Sequence, residues 1–222
     1  MEQGWYNLLF AHYAVPASQL RPLIPRELEI DSFDGNSWVS LTPLYIRVRP
    51  RGAAPLGRLF GFEELNCRTY VTYRGKPGIF FFSLDAHSLR AVLGARIFYR
   101  LPYFHARMSL RAQRAGIHFE SLRSGSSHAF LEANYAPVSK PQFPEPGSIE
   151  HFLTERYCLY TVAFGRVWRG DIHHGRWPIQ QVEAEIPRET VSAAAGLHLS
   201  GPPVLTHFSA VQEVLIWTLE QA

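Results

Sequence analysis

The sequence predicts a mainly antiparallel β fold of the α+β class, because strand-like runs dominate and only a few short helical segments lie between them. Two turns support this interpretation. Asp34-Gly35 separates two extended runs, and RGKPG separates ELNCRTYVTY from GIFFFSL, so each turn predicts a hairpin. HARMSLRA, GIHFESLRS and AFLEANY then predict a three-stranded meander, with turns at Ala115-Gly116 and at the Ser/Gly cluster 124–127.

Later runs continue the strand pattern: RYCLYTVAF, RVWRGDIHH, QVEAEI and VQEVLIWTL. IFFFSL and CLYTVAF are almost continuously apolar, which is typical of strands buried on both faces. We therefore expect helices or a second layer of sheet to cover them.

Four short helices are predicted between these strands. SQLRPLI has Ser18 as a candidate cap and is limited in length by Pro22. HSLRAVLGARIFY has apolar residues at 89, 92, 93 and 97, a helical spacing over 87–99. Ser148 is placed to cap IEHFLTERY, and ETVSAAAG ends at a glycine suited to a helix C-terminus.

The chain of 222 residues predicts a single domain over 1–222. Pro137, Pro141, Pro144 and Pro146 forbid regular structure near residue 140, but strand-like runs continue on both sides, so we interpret this segment as a long loop within that domain.

Composition favours a soluble cytoplasmic protein. No apolar run is long enough to span a membrane, the N-terminus has no signal-peptide pattern, and the two cysteines lie inside strand-like runs, as buried reduced thiols do. The formal net charge is +3, from twenty arginines and two lysines among the basic residues. The arginines are scattered and form no concentrated patch, so we expect no nucleic-acid partner and no membrane partner. Whether the chain forms a homo-oligomer is left open.

Common catalytic motifs are absent from the sequence: it has no G-x-S-x-G, P-loop, G-x-G-x-x-G, H-E-x-x-H or C-x-x-C. Asp171 and His173 share one strand face, but no third metal ligand is indicated, and a hydrogen-bonded surface pair is the simpler interpretation. We therefore expect no metal site and no cofactor.

The strand ELNCRTYVTY has two different faces, because side chains alternate with a period of two. Leu65, Cys67, Thr69 and Val71 share one face, and Glu64, Asn66, Arg68 and Tyr70 share the other. The polar face is either a stripe directed to solvent or a polar wall inside a barrel or cleft. In a cleft, Arg68 would bind a carboxylate, and Glu64 would orient it or move a proton.

A family resemblance adds to this interpretation. The run FEELNCRTYVTYRGKPGIFFFSLDAHSLRAVLGARIFYRLPYFHARM resembles the YqjF-like family of uncharacterised bacterial proteins, as do WYNLLFAHYAV, LRPLIPRELEIDSFDGNSWVSL, LTERYCLY and HHGRWPI. That family belongs to the acetoacetate decarboxylase-like superfamily. The resemblance implies a cone-shaped antiparallel barrel around an internal pocket, with a few short peripheral helices.

The resemblance also implies a particular corner. In acetoacetate decarboxylases, an aspartate at a strand end is followed by a helix, a proline and two lysines, and the first lysine forms a Schiff base with the substrate. Here Asp85, the helix 87–99 and Pro102 are present, but Tyr103 and Phe104 replace the lysines. The resemblance therefore predicts the architecture without Schiff-base chemistry. Strand parity puts Tyr103 first and His105 second among the residues expected to reach the pocket.

The leading hypothesis is a pocket for a small organic ligand such as a carboxylate or oxo acid. Its candidate ligand-binding residues are Glu64, Arg68, Tyr103 and His105, and the resembling blocks add Arg156, Tyr157 and Trp177. Catalytic residues are not assigned. One alternative is a lysine-independent lyase or hydratase that acts on a keto acid by acid–base chemistry. The other is a binding or sensing protein without turnover.

Overall fold

The computed structural model describes residues 1–49, 60–125 and 128–222. In these residues the chain forms thirteen strands, which follow in order: β1 (Glu2–Val15), β2 (Glu29–Ile30), β3 (Ser37–Arg49), β4 (Phe60–Tyr73), β5 (Lys76–Ala86), β6 (Tyr103–Gln113), β7 (Gly116–Arg123), β8 (Phe130–Pro137), β9 (Cys158–Ala163), β10 (Arg166–His174), β11 (Gln180–Glu189), β12 (Leu205–Ile216) and β13 (Glu220–Gln221). Four short helices accompany them: α1 (Ala17–Leu20), α2 (Leu89–Phe98), α3 (Ile149–Thr154) and α4 (Val191–Ala194). The predicted fold class, strand-rich with few short helices, is confirmed.

The strands form one mixed sheet that curves into a ring. The order runs β13-β10-β9-β5-β6-β7-β8-β11-β12-β1-β3-β4-β2, with additional pairings of β4 with β5 and of β10 with β12. Short contacts close the ring, since β5 and β9 share two residue pairs and β10 and β12 share three. Most neighbours are antiparallel, whereas β5 runs parallel to both β6 and β9.

Two of the predicted turn regions have the expected structure. β4 and β5 form a hairpin around Arg74 and Gly75, whose φ angles of 50° and 77° are those of a tight two-residue turn. β6, β7 and β8 form the predicted meander. The turn between β7 and β8 was predicted at the Ser/Gly cluster 124–127, and residues 126–127 of this cluster lie outside the described residues.

The prediction at Asp34-Gly35 is only partly right. The turn exists, with φ angles of 49° and 77° and a single bridge between Phe33 and Asn36. However, β2 pairs with β4 and not with β3. The reason is that β3 already has β1 and β4 as its two neighbours, so the chain before the turn pairs with Val71 and Thr72 of β4, beyond the end of the pairing of β3 with β4.

Helices α2 and α3 lie where the sequence predicts them, and the predicted cap at Ser148 is confirmed. The side chains of Ser88 and Ser148 accept hydrogen bonds from the third residue after them and cap α2 and α3. α1 differs, because it starts after Pro16 and has no side-chain cap, so the expected cap at Ser18 is wrong. The longest described helix, α2, has 10 residues, about half of a bilayer span, and no described helix meets the requirements for crossing a membrane.

The nearly continuous apolar strands contact apolar clusters on both faces. Phe80 and Phe82 of β5 pack against one cluster, which includes Leu65, Cys67 and Val71, while Ile79 and Phe81 belong to another. The proline-rich segment 138–148 lies beside the sheet, where Gln142 exchanges backbone hydrogen bonds of 2.8 and 3.0 Å with Ile179.

Candidate functional site: a cavity with a polar wall

A cavity of about 500 Å³ lies against β1, β3, β4, β5 and α2. Most of the residues that line it are apolar, including Phe10, Leu44, Phe62 and Leu84. This volume falls in the range of small-molecule sites, which are typically apolar with a few placed polar groups.

The polar face of β4 lines this cavity. Glu64, Asn66 and Arg68 are each less than a tenth exposed and belong to the cavity wall. Leu65 and Cys67, between them, point into the apolar cluster behind the strand. The stripe is therefore a polar wall and does not face solvent. Thr42 extends it onto β3, where it lies opposite Asn66.

Arg68 is buried without a carboxylate partner. Its guanidinium carbon lies 5.3 Å from the centre of the Phe10 ring and 5.9 Å from that of Tyr70, so two aromatic faces hold it. No ion pair involves Arg68 among the residues that the structure describes, and its Nε atom is buried without a hydrogen-bond partner there. A buried charge in this state is costly unless something else completes its hydrogen bonds.

Three further polar atoms of the cavity wall also lack a hydrogen-bond partner. Thr42 Oγ1, Asn66 Oδ1 and Trp177 Nε1 are buried and have no hydrogen-bond partner within the described ranges. Each such atom costs on the order of 1–3 kcal/mol. Together with Arg68 they offer donors and an acceptor to a polar group in the cavity.

Glu64 and Tyr103 form a hydrogen-bonded pair on the same wall. The Tyr103 hydroxyl donates to Glu64 Oε2 over 2.8 Å. Burial raises the pKa of Glu64 to about 7, although hydrogen bonds from Tyr103 and Asn66 act in the opposite direction. Burial and the neighbouring Glu64 together hold the pKa of Tyr103 well above its ordinary value, so the phenol keeps its proton. Glu64 thus gains or loses a proton near neutral pH, as a general acid or base does.

The corner after α2 positions Tyr103. β5 and β6 pair in parallel, with Leu84 opposite Tyr103, and the Leu84 amide donates to the Pro102 carbonyl over 3.0 Å. Behind the corner, Asp85 forms an ion pair with Arg123, in which Arg123 Nη2 lies 2.8 Å from Asp85 Oδ1. This pair is almost fully buried and anchors β7 to the end of β5.

The remaining predicted residues are distributed over three places. Trp177 is buried and lines the cavity, where its ring stacks on Trp5 at 6.0 Å and meets Phe10 edge-on at 5.0 Å. His105 is exposed, with Nδ1 3.3 Å from Ser124 Oγ, and does not line the cavity. The reason is that β6 leaves β5 after three residue pairs, 103–105, and continues along β7.

Arg156 and Tyr157 also lie away from the cavity wall. Arg156 Nη1 binds Asp31 Oδ2 over 2.6 Å, so a structural carboxylate already uses its charge. Tyr157 donates to Glu155, stacks on His174 at 4.5 Å and borders a separate shallow depression beside Lys76.

Neither lysine of the sequence lines the cavity. Lys76 Nζ binds Asp171 Oδ1 over 2.8 Å at the rim of the shallow depression, and Lys140 is exposed in the proline-rich segment. Asp171, which the alternation of the strand puts on the same face as His173, therefore pairs with Lys76 and also with Arg169.

Sequence reasoning missed a buried network next to Arg68. His12 Nδ1 lies 2.6 Å from Ser40 Oγ, which in turn lies 2.7 Å from the Tyr70 hydroxyl. Burial, with His207 and Arg68 nearby, holds the pKa of His12 well below its ordinary value, so the imidazole is neutral. The signal was a histidine in the apolar run LLFAHYAV, but only the register of β1, β3 and β4 brings His12, Ser40 and Arg68 side by side.

Comparison with known proteins identifies the family. A model of the DUF2071 family, described as an uncharacterized conserved protein, matches residues 2–213. The uncharacterized protein YqjF of Bacillus subtilis (strain 168) is 44% identical over 222 residues, which cover 100% of this chain and 92% of that protein. The chain belongs to the DUF2071 family.

Solved structures show the same fold at low sequence identity. An acetoacetate decarboxylase-like enzyme from Sphingomonas wittichii RW1 has a TM-score of 0.65 at 13% identity, covering 100% of this chain and 92% of its own. Acetoacetate decarboxylase from Legionella pneumophila has a TM-score of 0.62 at 14% identity, covering 100% and 86%. The enduracididine biosynthesis enzyme MppR, complexed with pyruvate, has a TM-score of 0.64 at 12% identity, covering 99% and 89%. The fold of this DUF2071 protein is therefore acetoacetate decarboxylase-like.

Proposed function

We propose that the cavity binds a small organic acid, a carboxylate or oxo acid, and that it does so without a Schiff base. The observation that carries this proposal is Arg68, a buried guanidinium with no carboxylate partner within the described residues. A bound carboxylate would supply the missing charge and hydrogen bonds.

The polar atoms near Arg68 are suited to an oxo or hydroxyl group next to the carboxylate of the ligand. Trp177 Nε1 is an unused donor and Asn66 has an unused acceptor oxygen, while the Tyr103 hydroxyl, which donates to Glu64, can still accept a hydrogen bond. An oxo or hydroxyl group beside the carboxylate would therefore find partners of either kind. MppR, which shares the fold, has been crystallised with pyruvate, an oxo acid.

Two free, buried cysteines are consistent with a reducing compartment, and we propose that the protein is cytoplasmic.

Arg68→Met tests the role of the guanidinium. A charge-assisted contact contributes about 1.5–3 kcal/mol, so the dissociation constant for hexanoate or 2-oxohexanoate should rise by about one to two powers of ten. Isothermal titration, together with the fluorescence of Trp5 and Trp177, measures the change. Arg107→Met, at an exposed position of β6, is the matched control and should leave the affinity unchanged.

The methyl ester of hexanoic acid separates charge recognition from apolar contact. Wild type and Arg68→Met should bind the ester equally, because it carries no carboxylate. If Arg68→Met lowers only the melting temperature and leaves the affinity for hexanoate per folded molecule unchanged, Arg68 is structural and the proposal is wrong.

Borohydride trapping tests the absence of a Schiff base. Lys76 is held by Asp171 and lies away from the cavity, so reduction in the presence of pyruvate or acetoacetate should leave the intact mass unchanged. A stoichiometric adduct at Lys76 or Lys140 would contradict the proposal.

The alternative function, a lysine-independent lyase or hydratase, is favoured by the Glu64–Tyr103 pair. It requires turnover of a keto acid without an adduct, and this turnover should be lost in Glu64→Gln.

A further inference from the structure

Along the paired strands β3 and β4 the polar residues that line the cavity lie at one end, while Gln3, Arg90 and Thr218 line it from other elements. Along β4 the cavity-lining residues are Arg68, Asn66 and Glu64, and then Phe62 and Phe60. The partner strand repeats this order, since Thr42 lies opposite Asn66, Leu44 opposite Glu64 and Val48 opposite Phe60. The wall therefore changes from polar to apolar along the direction of the strands.

The apolar part of the wall continues the polar part along the same strand. Eight residues separate Arg68 from Phe60, which corresponds to about 26 Å along an extended strand. Trp5 and Met1 of the N-terminal segment continue the apolar part. α2 covers it with three small residues, Ala91, Gly94 and Ala95, and also contributes Arg90 and Phe98 to the lining.

The volume exceeds what a short oxo acid needs. About 500 Å³ corresponds to roughly seventeen water molecules at their liquid volume. A four-carbon oxo acid would fill well under half of this space and would leave the apolar wall without contacts.

We infer that the ligand is an amphipathic carboxylic acid, whose carboxylate or oxo-carboxylate head binds at Arg68 and whose apolar body extends from there toward Phe62 beneath α2. The inference rests on the proposed function and specifies its substrate class. A straight-chain or aryl-substituted acid of about six to ten carbons would reach from Arg68 to the start of the apolar part, where Leu44 lies opposite Glu64.

A homologous series of straight-chain carboxylates, from butanoate to decanoate, tests the inference on the wild-type protein below micelle-forming concentrations. Each added methylene that is buried should tighten binding by about four-fold, until the apolar part is filled. The 1-alkanols of equal length should bind more weakly than the acids at every length, because they lack the charge that Arg68 recognises.

Gly94→Phe tests where the chain lies. A Cβ atom at Gly94 would meet no atom within 4 Å, so the backbone there accepts a side chain, and a phenyl ring at this position should reduce the space beneath α2. In this variant the increase in affinity should end at a shorter chain, while the affinity for butanoate stays as in wild type. Leu93→Phe is the matched control, because Leu93 is half exposed and does not line the cavity, and it should reproduce the wild-type series.

The outcomes separate this inference from the proposed function. If short acids bind in an Arg68-dependent way but affinity does not rise with chain length, the inference is wrong and the proposed function stands. An unchanged series in Gly94→Phe would also overturn it. If no carboxylate of any length binds, or if alkanols bind as tightly as the acids, the proposed function itself is wrong.

Discussion

Arg68 and Arg123 are buried to nearly the same extent, 6% and 2% exposed, but their surroundings are opposite. Arg123 binds Asp85, with Nε 2.9 Å from the carboxylate, and its guanidinium lies 4.1 Å from the centre of the Phe104 ring. Arg68 also lies against aromatic rings, but no carboxylate accompanies it among the described residues.

The difference separates a structural cation from one available to a ligand. Asp85 and Arg123 neutralise one another's charge at the junction of β5 and β7, where neither lines the cavity, although Asp85 Oδ2 accepts no hydrogen bond from the residues that the structure describes. Even so, burial raises the pKa of Asp85, because it outweighs the stabilising effect of Arg123. Arg68 lines the cavity and retains an unmet need for an acceptor. Of the two, Arg68 is the one whose environment a bound anion would improve.

The largest expected effect is on stability, in Arg123→Met. Removing one partner of a buried ion pair leaves the other charge uncompensated, so this variant should lose about 3–5 kcal/mol in the free energy of unfolding. Arg68→Met loses only contacts with two ring faces and removes a buried unpaired charge, so its change should stay below about 1.5 kcal/mol. Equilibrium denaturation in urea at neutral pH without ligand measures both values.

The double variant Asp85→Leu with Arg123→Met is the control for this comparison. It replaces the pair by apolar side chains and should recover most of the stability lost in the single variant. Equal losses in Arg68→Met and Arg123→Met would show that the two arginines have the same structural role, which would contradict the distinction.

Much of the polar wall could be predicted from the sequence, because it depends on local periodicity. Glu64, Asn66 and Arg68 lie on one strand, and the alternation of the strand alone assigns them to one face. Tyr103 was found differently, through the resemblance that placed Pro102 and the preceding helix at a known corner. Which face of β4 meets the cavity, however, depends on the curvature of the whole sheet.

The parts that could not be predicted depend on contacts between distant strands. Asp85 and Arg123 are 38 residues apart, and their pairing follows from the way β6 and β7 extend from the end of β5. Thr42 joins the wall through the register of β3 with β4. His105 was assigned to the pocket because the alternation of the strand puts it on the same face as Tyr103. The sequence does not show that β6 turns away from β5 at this point and continues along β7.

Glu64 extends the comparison to a buried acid, and its expected effect is a pH dependence of stability. Its pKa in the folded protein is about 7, above the ordinary value of 4.5, because of burial. The folded state therefore binds a proton more tightly than the unfolded state does. This tighter proton binding contributes about 3 kcal/mol to the free energy of unfolding. The contribution is complete below about pH 4.5 and is lost as the pH rises to about 7.

Glu64→Gln should remove this dependence, because glutamine stays neutral and its amide oxygen still accepts the hydrogen bond from Tyr103. Relative to wild type, the variant should gain about 3 kcal/mol in the free energy of unfolding between pH 4 and pH 8, measured by urea denaturation across this range. Glu63→Gln changes the net charge equally on the next residue of β4 and controls for the general effect of charge. If both variants show the same pH profile, the effect belongs to net charge and not to the cavity.

If only Glu64→Gln flattens the profile, the side chain of Glu64 is a buried acid that stays protonated at low pH. It lies on the same wall as Arg68, the cation without a carboxylate partner among the described residues. A carboxylate ligand at Arg68 would then meet a protonated Glu64 below pH 7 and a repelling carboxylate above it, so its affinity should fall as the pH rises through that value.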